Sequence, residues 1–157
     1  MRLFSSKLKV AALICVATGA IGALAYAASP VDTIKERQDG LKSMGKIFKA
    51  MTDQMRAGSV DPATVKEAAA TIQKTAGAMD KWFPKGSGAE AGVKTAAKPE
   101  IWSDSAGFND ARQKLVDAAG KFSDIANGGD MSAVGGGVRG LGMACKGCHD
   151  KYRVKED

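Results

Sequence analysis

Near the end of the 157-residue chain, two cysteines and a histidine stand together as Cys145-Lys146-Gly147-Cys148-His149. On a helix, residues three and four apart share a face, so both thiols and the imidazole point the same way. Two thiols at that separation can add to the two vinyl groups of one haem while the imidazole reaches its iron. The spacing is that of c-type haem attachment. Other chemistries suit these residues less well. Structural zinc takes four ligands, and beyond the N-terminal segment discussed below the chain has two cysteines and one histidine. A Cys-x-x-Cys redox pair belongs in a strand–helix setting, and no strand pattern occurs here. A plain disulfide remains open but leaves the adjacent histidine without a task.

His149 is the single histidine of the chain. It is the expected protein ligand to iron, and bis-histidine ligation is excluded. The sixth position then falls to methionine, lysine, water or nothing. A Met/His haem has a raised potential and suits electron transfer, whereas an empty position lets small gases bind. No acid–base pair or nucleophile accompanies the motif, so an enzyme is not expected.

The elements that must position this site read as helices throughout, since no segment shows sustained period-two alternation. A first helix over roughly Val31 to Ala57 carries two seven-residue seams, Ile34, Leu41, Phe48, Met55 and Arg37, Met44, Met51. Asp61-Pro62 is a strong helix start. The second helix runs to about Trp82, with Val65, Ile72, Met79 and Ala68, Thr75, Trp82 inward. Lys85 to Pro99 reads as a long crossover loop. A third helix starts near Ser103 or Asp104, with seams Phe108, Leu115, Phe122 and Ala111, Ala118, Ile125. Asp130 is the expected cap of the fourth, where Val134, Val138, Leu141, Cys145, Cys148 and Tyr152 share a face. Gly135, Gly136 and Gly137 each cost about 1 kcal/mol against alanine in a helix, so an irregular start is expected there. Four such helices predict an all-α, antiparallel four-helix bundle.

The N-terminus reads as a targeting segment. Arg2, Lys7 and Lys9 precede the uncharged run Val10 to Leu24, and Ala25-Tyr26-Ala27 has the form of a cleavage site. The run is short of the roughly 20 residues a membrane-spanning helix needs, so a cleaved signal over 1–27 is favoured over an anchor. A single domain over 28–157 follows. The segment holds three of the 23 basic residues and none of the 17 acidic ones, which leaves the domain near +3. That balance, with aromatics at 6%, argues against a base-stacking nucleic-acid surface. The expected location is periplasmic, with no membrane association after cleavage.

With these residues in view, the sequence resembles cytochrome c prime over essentially the whole domain. The likeness is carried by Arg37-Gln38-Asp39-Gly40-Leu41, Trp82-Phe83-Pro84, Glu100-Ile101-Trp102-Ser103-Asp104, and Cys145 through Arg153, with the haem motif close to the C-terminus. The resemblance implies a four-helix bundle, commonly a homodimer, with one covalent haem c that is five-coordinate and high-spin. It places Leu41 at the distal position, where low-spin relatives carry a ligating methionine. It also places Arg153 beside the proximal pocket.

Arg37 matches the family's first-helix arginine. A buried cation needs a partner, and a haem propionate is the expected one; the alternative is a surface carboxylate reached by snorkelling. Leu41 has no donor atom, so the sixth site is expected to be open but crowded. The leading function is binding of nitric oxide and carbon monoxide, with electron transfer compatible. The resemblance adds a role in nitric-oxide tolerance and a five-coordinate nitric oxide complex with the His149 bond broken. The alternative is a low-spin carrier with Met44, one turn beyond Leu41, as sixth ligand. Met44 otherwise packs the core beside Met51, Met55 and Met79. The redox partner is not legible.

Overall fold

The structure, a computed structural model, describes residues 28–155. The expected signal segment lies outside the described residues. Helix α1 spans Pro30–Arg56, with Ser29 as N-cap accepting from the amide of Asp32 and proline in the first turn. Helix α2 spans Pro62–Ala78. Asp61 starts it by accepting from the amides of Ala63 and Thr64 at 2.8 and 3.0 Å, which satisfies two donors that a helix start leaves open. The last turn tightens into a 3-10 turn over Met79–Lys81.

The crossover carries another 3-10 turn at Ala89–Ala91. A short helix α3, Glu100–Ser103, precedes the third long helix. Asp104 breaks the path, with φ −118° and ψ 56°, and caps α4, Ser105–Gly128, by accepting from the amide of Gly107. Gly129, at φ 74°, ends α4 in the left-handed conformation that glycine tolerates. The Asp130 carboxylate holds the next turn through the amides of Ser132 and Ala133, and α5 runs Val134–Tyr152.

The seams pack as their spacing predicts. In the α2 region Val65, Ala68, Ile72, Thr75, Met79 and Trp82 are buried; in α4 so are Phe108, Leu115 and Phe122. In α1 Ile34, Arg37 and Met51 are buried, while Leu41, Met44, Phe48 and Met55 are half-buried against the main core. The chain is an all-α four-helix bundle, with α3 an added turn at one end.

Asp130 holds the turn before α5 and does not cap it, since the N-cap of α5 is Ala133 with no side-chain cap. A second expectation about α5 also needs correcting. Its start is regular through the three glycines. Gly137 supplies the reason: a Cβ there would lie 2.7 Å from the Phe122 ring. The backbone approach of α5 to α4 needs a glycine at that position. Helix α1 packs on α2, α2 on α4 and α4 on α5, whereas α1 and α5 are not closely packed on each other.

Candidate haem site

Helix α5 carries the motif in its last three turns. Cys145 and Cys148 are both half-buried and both free. They belong to different packing regions: Cys145 packs against the main core, and Cys148 against a smaller cluster of Ile101, Phe108 and Tyr152. Burial pushes both thiols up, Cys148 to about 11 with a further contribution from Cys145. Both are therefore uncharged at neutral pH.

His149 is exposed on the same helix. Partial burial of its ring, and secondly the Arg153 charge, lower its pKa; Asp150 opposes them. A lowered pKa favours the neutral imidazole, the form that ligates a metal. His149, Asp150, Arg153, Val154 and Lys155 line a surface concavity of about 340 Å³. Arg153 thus lies beside His149, and its amide donates to the His149 carbonyl at 3.1 Å.

On α1, Leu41 and Met44 are half-buried against the same core that Cys145 touches. Met44 packs there with apolar neighbours.

Arg37 is held by oxygens of the protein itself. It is 2% exposed. Its guanidinium donates to the Trp82 carbonyl at 3.0 Å, the Ser87 hydroxyl at 3.3 Å, the Ser87 carbonyl at 3.0 Å and the Thr95 hydroxyl at 2.8 Å. Its Cζ sits 4.7 Å from the centre of the Phe83 ring, a cation–π distance. The buried charge is met by neutral oxygens of Trp82 and the crossover and by a ring face. Desolvation lowers its pKa, but an arginine stays protonated at physiological pH.

Sequence reasoning missed Asp104 as a site neighbour. Its carboxylate accepts from the Tyr152 hydroxyl at 2.7 Å and from Lys151 Nζ at 2.5 Å. Its place before a helix, in the Glu100-to-Asp104 stretch that carries the resemblance, is the signal that could have marked it. The C-terminal turn is also tied to the crossover by an isolated antiparallel bridge between Ala97 and Arg153.

These residues fit a haem. Apolar side chains on α1 and α5 are half-buried against one core, and two uncharged thiols and a neutral imidazole stand on α5. Among the described residues no group of three or more His, Cys, Asp or Glu side chains could hold a bare metal ion.

A helical bundle with paired thiols and an adjacent imidazole on its last helix defines a c-type haem protein. The family model for cytochrome c′ matches residues 32–153, and the chain belongs to the cytochrome c′ family. It binds one covalent haem c. The chain is 36% identical over 129 residues to cytochrome c′ of Alcaligenes xylosoxydans xylosoxydans, covering 82% of this chain and 98% of that one. Its fold is similar to the nitric oxide complex of a leucine-to-alanine variant of cytochrome c prime from Alcaligenes xylosoxidans. That match has TM-score 0.73 and 30% identity, covering 83% of this chain and 99% of the other. Cytochrome c′ from Thermochromatium tepidum superposes with TM-score 0.76 at 28% identity, covering 82% and 98%.

Proposed function

We propose that the protein is a periplasmic haem protein that binds nitric oxide and carbon monoxide at a five-coordinate, high-spin iron. Cys145 and Cys148 hold the haem as thioethers, and His149 is the protein ligand. The bound haem supplies an iron that takes a diatomic ligand. The chain's part is to hold one face through His149 and to shape the other with Leu41. Arg153, next to His149, borders the proximal side.

The observation that carries this reading is the character of Leu41. It is half-buried on the core that Cys145 also touches, and it has neither a donor atom nor a hydrogen-bonding group. Such a residue admits an uncharged diatomic by size alone. Bound dioxygen, which takes up negative charge, gains no stabilising hydrogen bond from it. Nitric oxide complexes among the similar structures agree with this assignment.

Export by the N-terminal segment and assembly as a homodimer complete the proposal. No helix among the described residues is long and apolar enough to cross a membrane.

A second reading has one observation in its favour. Met44 is half-buried against the same core, and a thioether on iron would make the protein a low-spin electron carrier.

Leu41→Ala tests the first reading. Removing bulk should raise carbon monoxide affinity of the ferrous protein. Truncating a buried leucine costs about 2–5 kcal/mol, and half-burial places this one at the low end. Tighter gas binding with a lower melting temperature is expected. Unchanged affinity would count against Leu41 as the group that limits the sixth site.

A further inference from the structure

The turn of α5 that carries Cys148 and His149 is followed by one more residue pair with unusual anchorage. Tyr152, three residues after His149 and on the same side of the helix, is 3% exposed. Its ring meets Phe108 edge-to-face at 5.3 Å and 81°. Its hydroxyl donates to Asp104 Oδ2 at 2.7 Å. Its carbonyl accepts from the amide of Lys98 at 3.0 Å, and the amide of Val154 donates to Ala96 at 2.8 Å.

Asp104 is itself fixed. Its other oxygen accepts from the Gly107 amide at 3.2 Å as the cap of α4. Gly107 is required by this contact, because a Cβ there would lie 2.6 Å from the Tyr152 oxygen. Lys151 donates to the same carboxylate oxygen as Tyr152. The end of α5 is therefore bolted to the start of α4.

We propose that Asp104 and Tyr152 form a latch that positions His149 toward the iron; this rests on the reading of His149 as the protein ligand. A helix end frays unless its last turn is held. Cys148 packs in the same Ile101, Phe108 and Tyr152 cluster, so one side of the haem attachment and the orientation of the imidazole share one anchor. Releasing the Tyr152 hydroxyl lets the last turn rotate, and the imidazole turns with it.

Two variants separate positioning from folding. Tyr152→Phe keeps the ring against Phe108 and removes only the hydroxyl. Asp104→Ser keeps a capping oxygen for Gly107 and removes the carboxylate. The iron–histidine stretching band is read by resonance Raman spectroscopy on the ferrous haem-loaded protein, and hydrogen exchange is read at the amides of Lys98 and Val154.

The latch predicts that both variants shift or broaden the band. It predicts exchange at the two amides roughly 10–100-fold faster, the scale of one hydrogen bond to a charged group. It also predicts that the double variant goes no further than either single one. Faster exchange with an unmoved band would overturn the proposal, since the contact would then hold the helix end without positioning the imidazole. Absence of an iron–histidine band in the unsubstituted protein would overturn both the ligand reading and the latch.

Discussion

Gly40 of α1 lies so close to the indole of Trp82 that a Cβ on it would come within 2.8 Å of the ring's Cζ2. The indole has nowhere to go. Its Nε1 donates to Glu36 Oε1 at 3.0 Å, and the carbonyl of the same residue accepts from Arg37. Trp82 is 5% exposed. Three residues of one turn and a half of α1, Glu36, Arg37 and Gly40, thus hold one tryptophan at the end of the α2 region. That contact fixes α1 just before Leu41.

Gly40→Ala should therefore destabilise the protein, although alanine is ordinarily the better helix former. Forcing a methyl group into a packed site costs about 1–3 kcal/mol, which exceeds the propensity gain of about 1 kcal/mol. Thermal melting of the haem-loaded variant should show a lower midpoint. A midpoint equal to or above that of the parent would show that α1 and Trp82 can part without cost.

The glycine run in α5 gives a paired prediction of opposite signs. Nothing lies within 4 Å of a Cβ at Gly136, whereas one at Gly137 meets Phe122 at 2.7 Å and Ile125 at 3.1 Å. Gly136→Ala should raise stability by up to about 1 kcal/mol through helix propensity. Gly137→Ala should lower it, because Phe122 is 0% exposed and cannot yield. Denaturant unfolding of the two variants checks this. Equal effects would mean that the glycines matter only through helix propensity.

Much of this was legible before the structure. Period and capping suffice to locate α2, because Asp61-Pro62 acts through its own neighbours and each inward residue repeats at seam spacing. The haem motif is legible for the same reason: its residues lie within one and a half turns. Arg37 was legible as buried, since it shares a seam with Met44 and Met51. Its partners were not. Trp82, Ser87 and Thr95 lie 45 to 58 positions away, and two of the four acceptors are backbone carbonyls that no side-chain pattern announces. The link from Asp104 to Tyr152, 48 positions apart, is hidden in the same way. The glycines misled because propensity describes a helix alone, and α5 is set by its approach to Phe122.

Acid should weaken the contact between α4 and α5 in a defined window. The Asp104 carboxyl is held down to about 2, chiefly by the Lys151 hydrogen bond and then by those from Tyr152 and the Gly107 amide. Its ordinary value is 3.8. A group whose folded pKa is depressed contributes stability that is fully present above the unfolded value and is lost as pH falls through the folded one. Asp104→Asn, which can still cap a helix, should melt below the parent at neutral pH. The difference should shrink as pH falls below about 4 and vanish only below about 2. A difference independent of pH across that window would show that the carboxylate charge is not what the contact uses.

The account turns on an iron with His149 on one side and no protein atom on the other. Optical and electron paramagnetic resonance spectra of the haem-loaded protein, recorded beside Met44→Leu, test it most directly. The account predicts high-spin spectra in the ferric and ferrous states, unchanged by Met44→Leu, and carbon monoxide binding to the ferrous form of both proteins. A low-spin parent with a methionine–iron charge-transfer band, converted to high-spin by Met44→Leu, would contradict it and make the protein an electron carrier ligated by Met44.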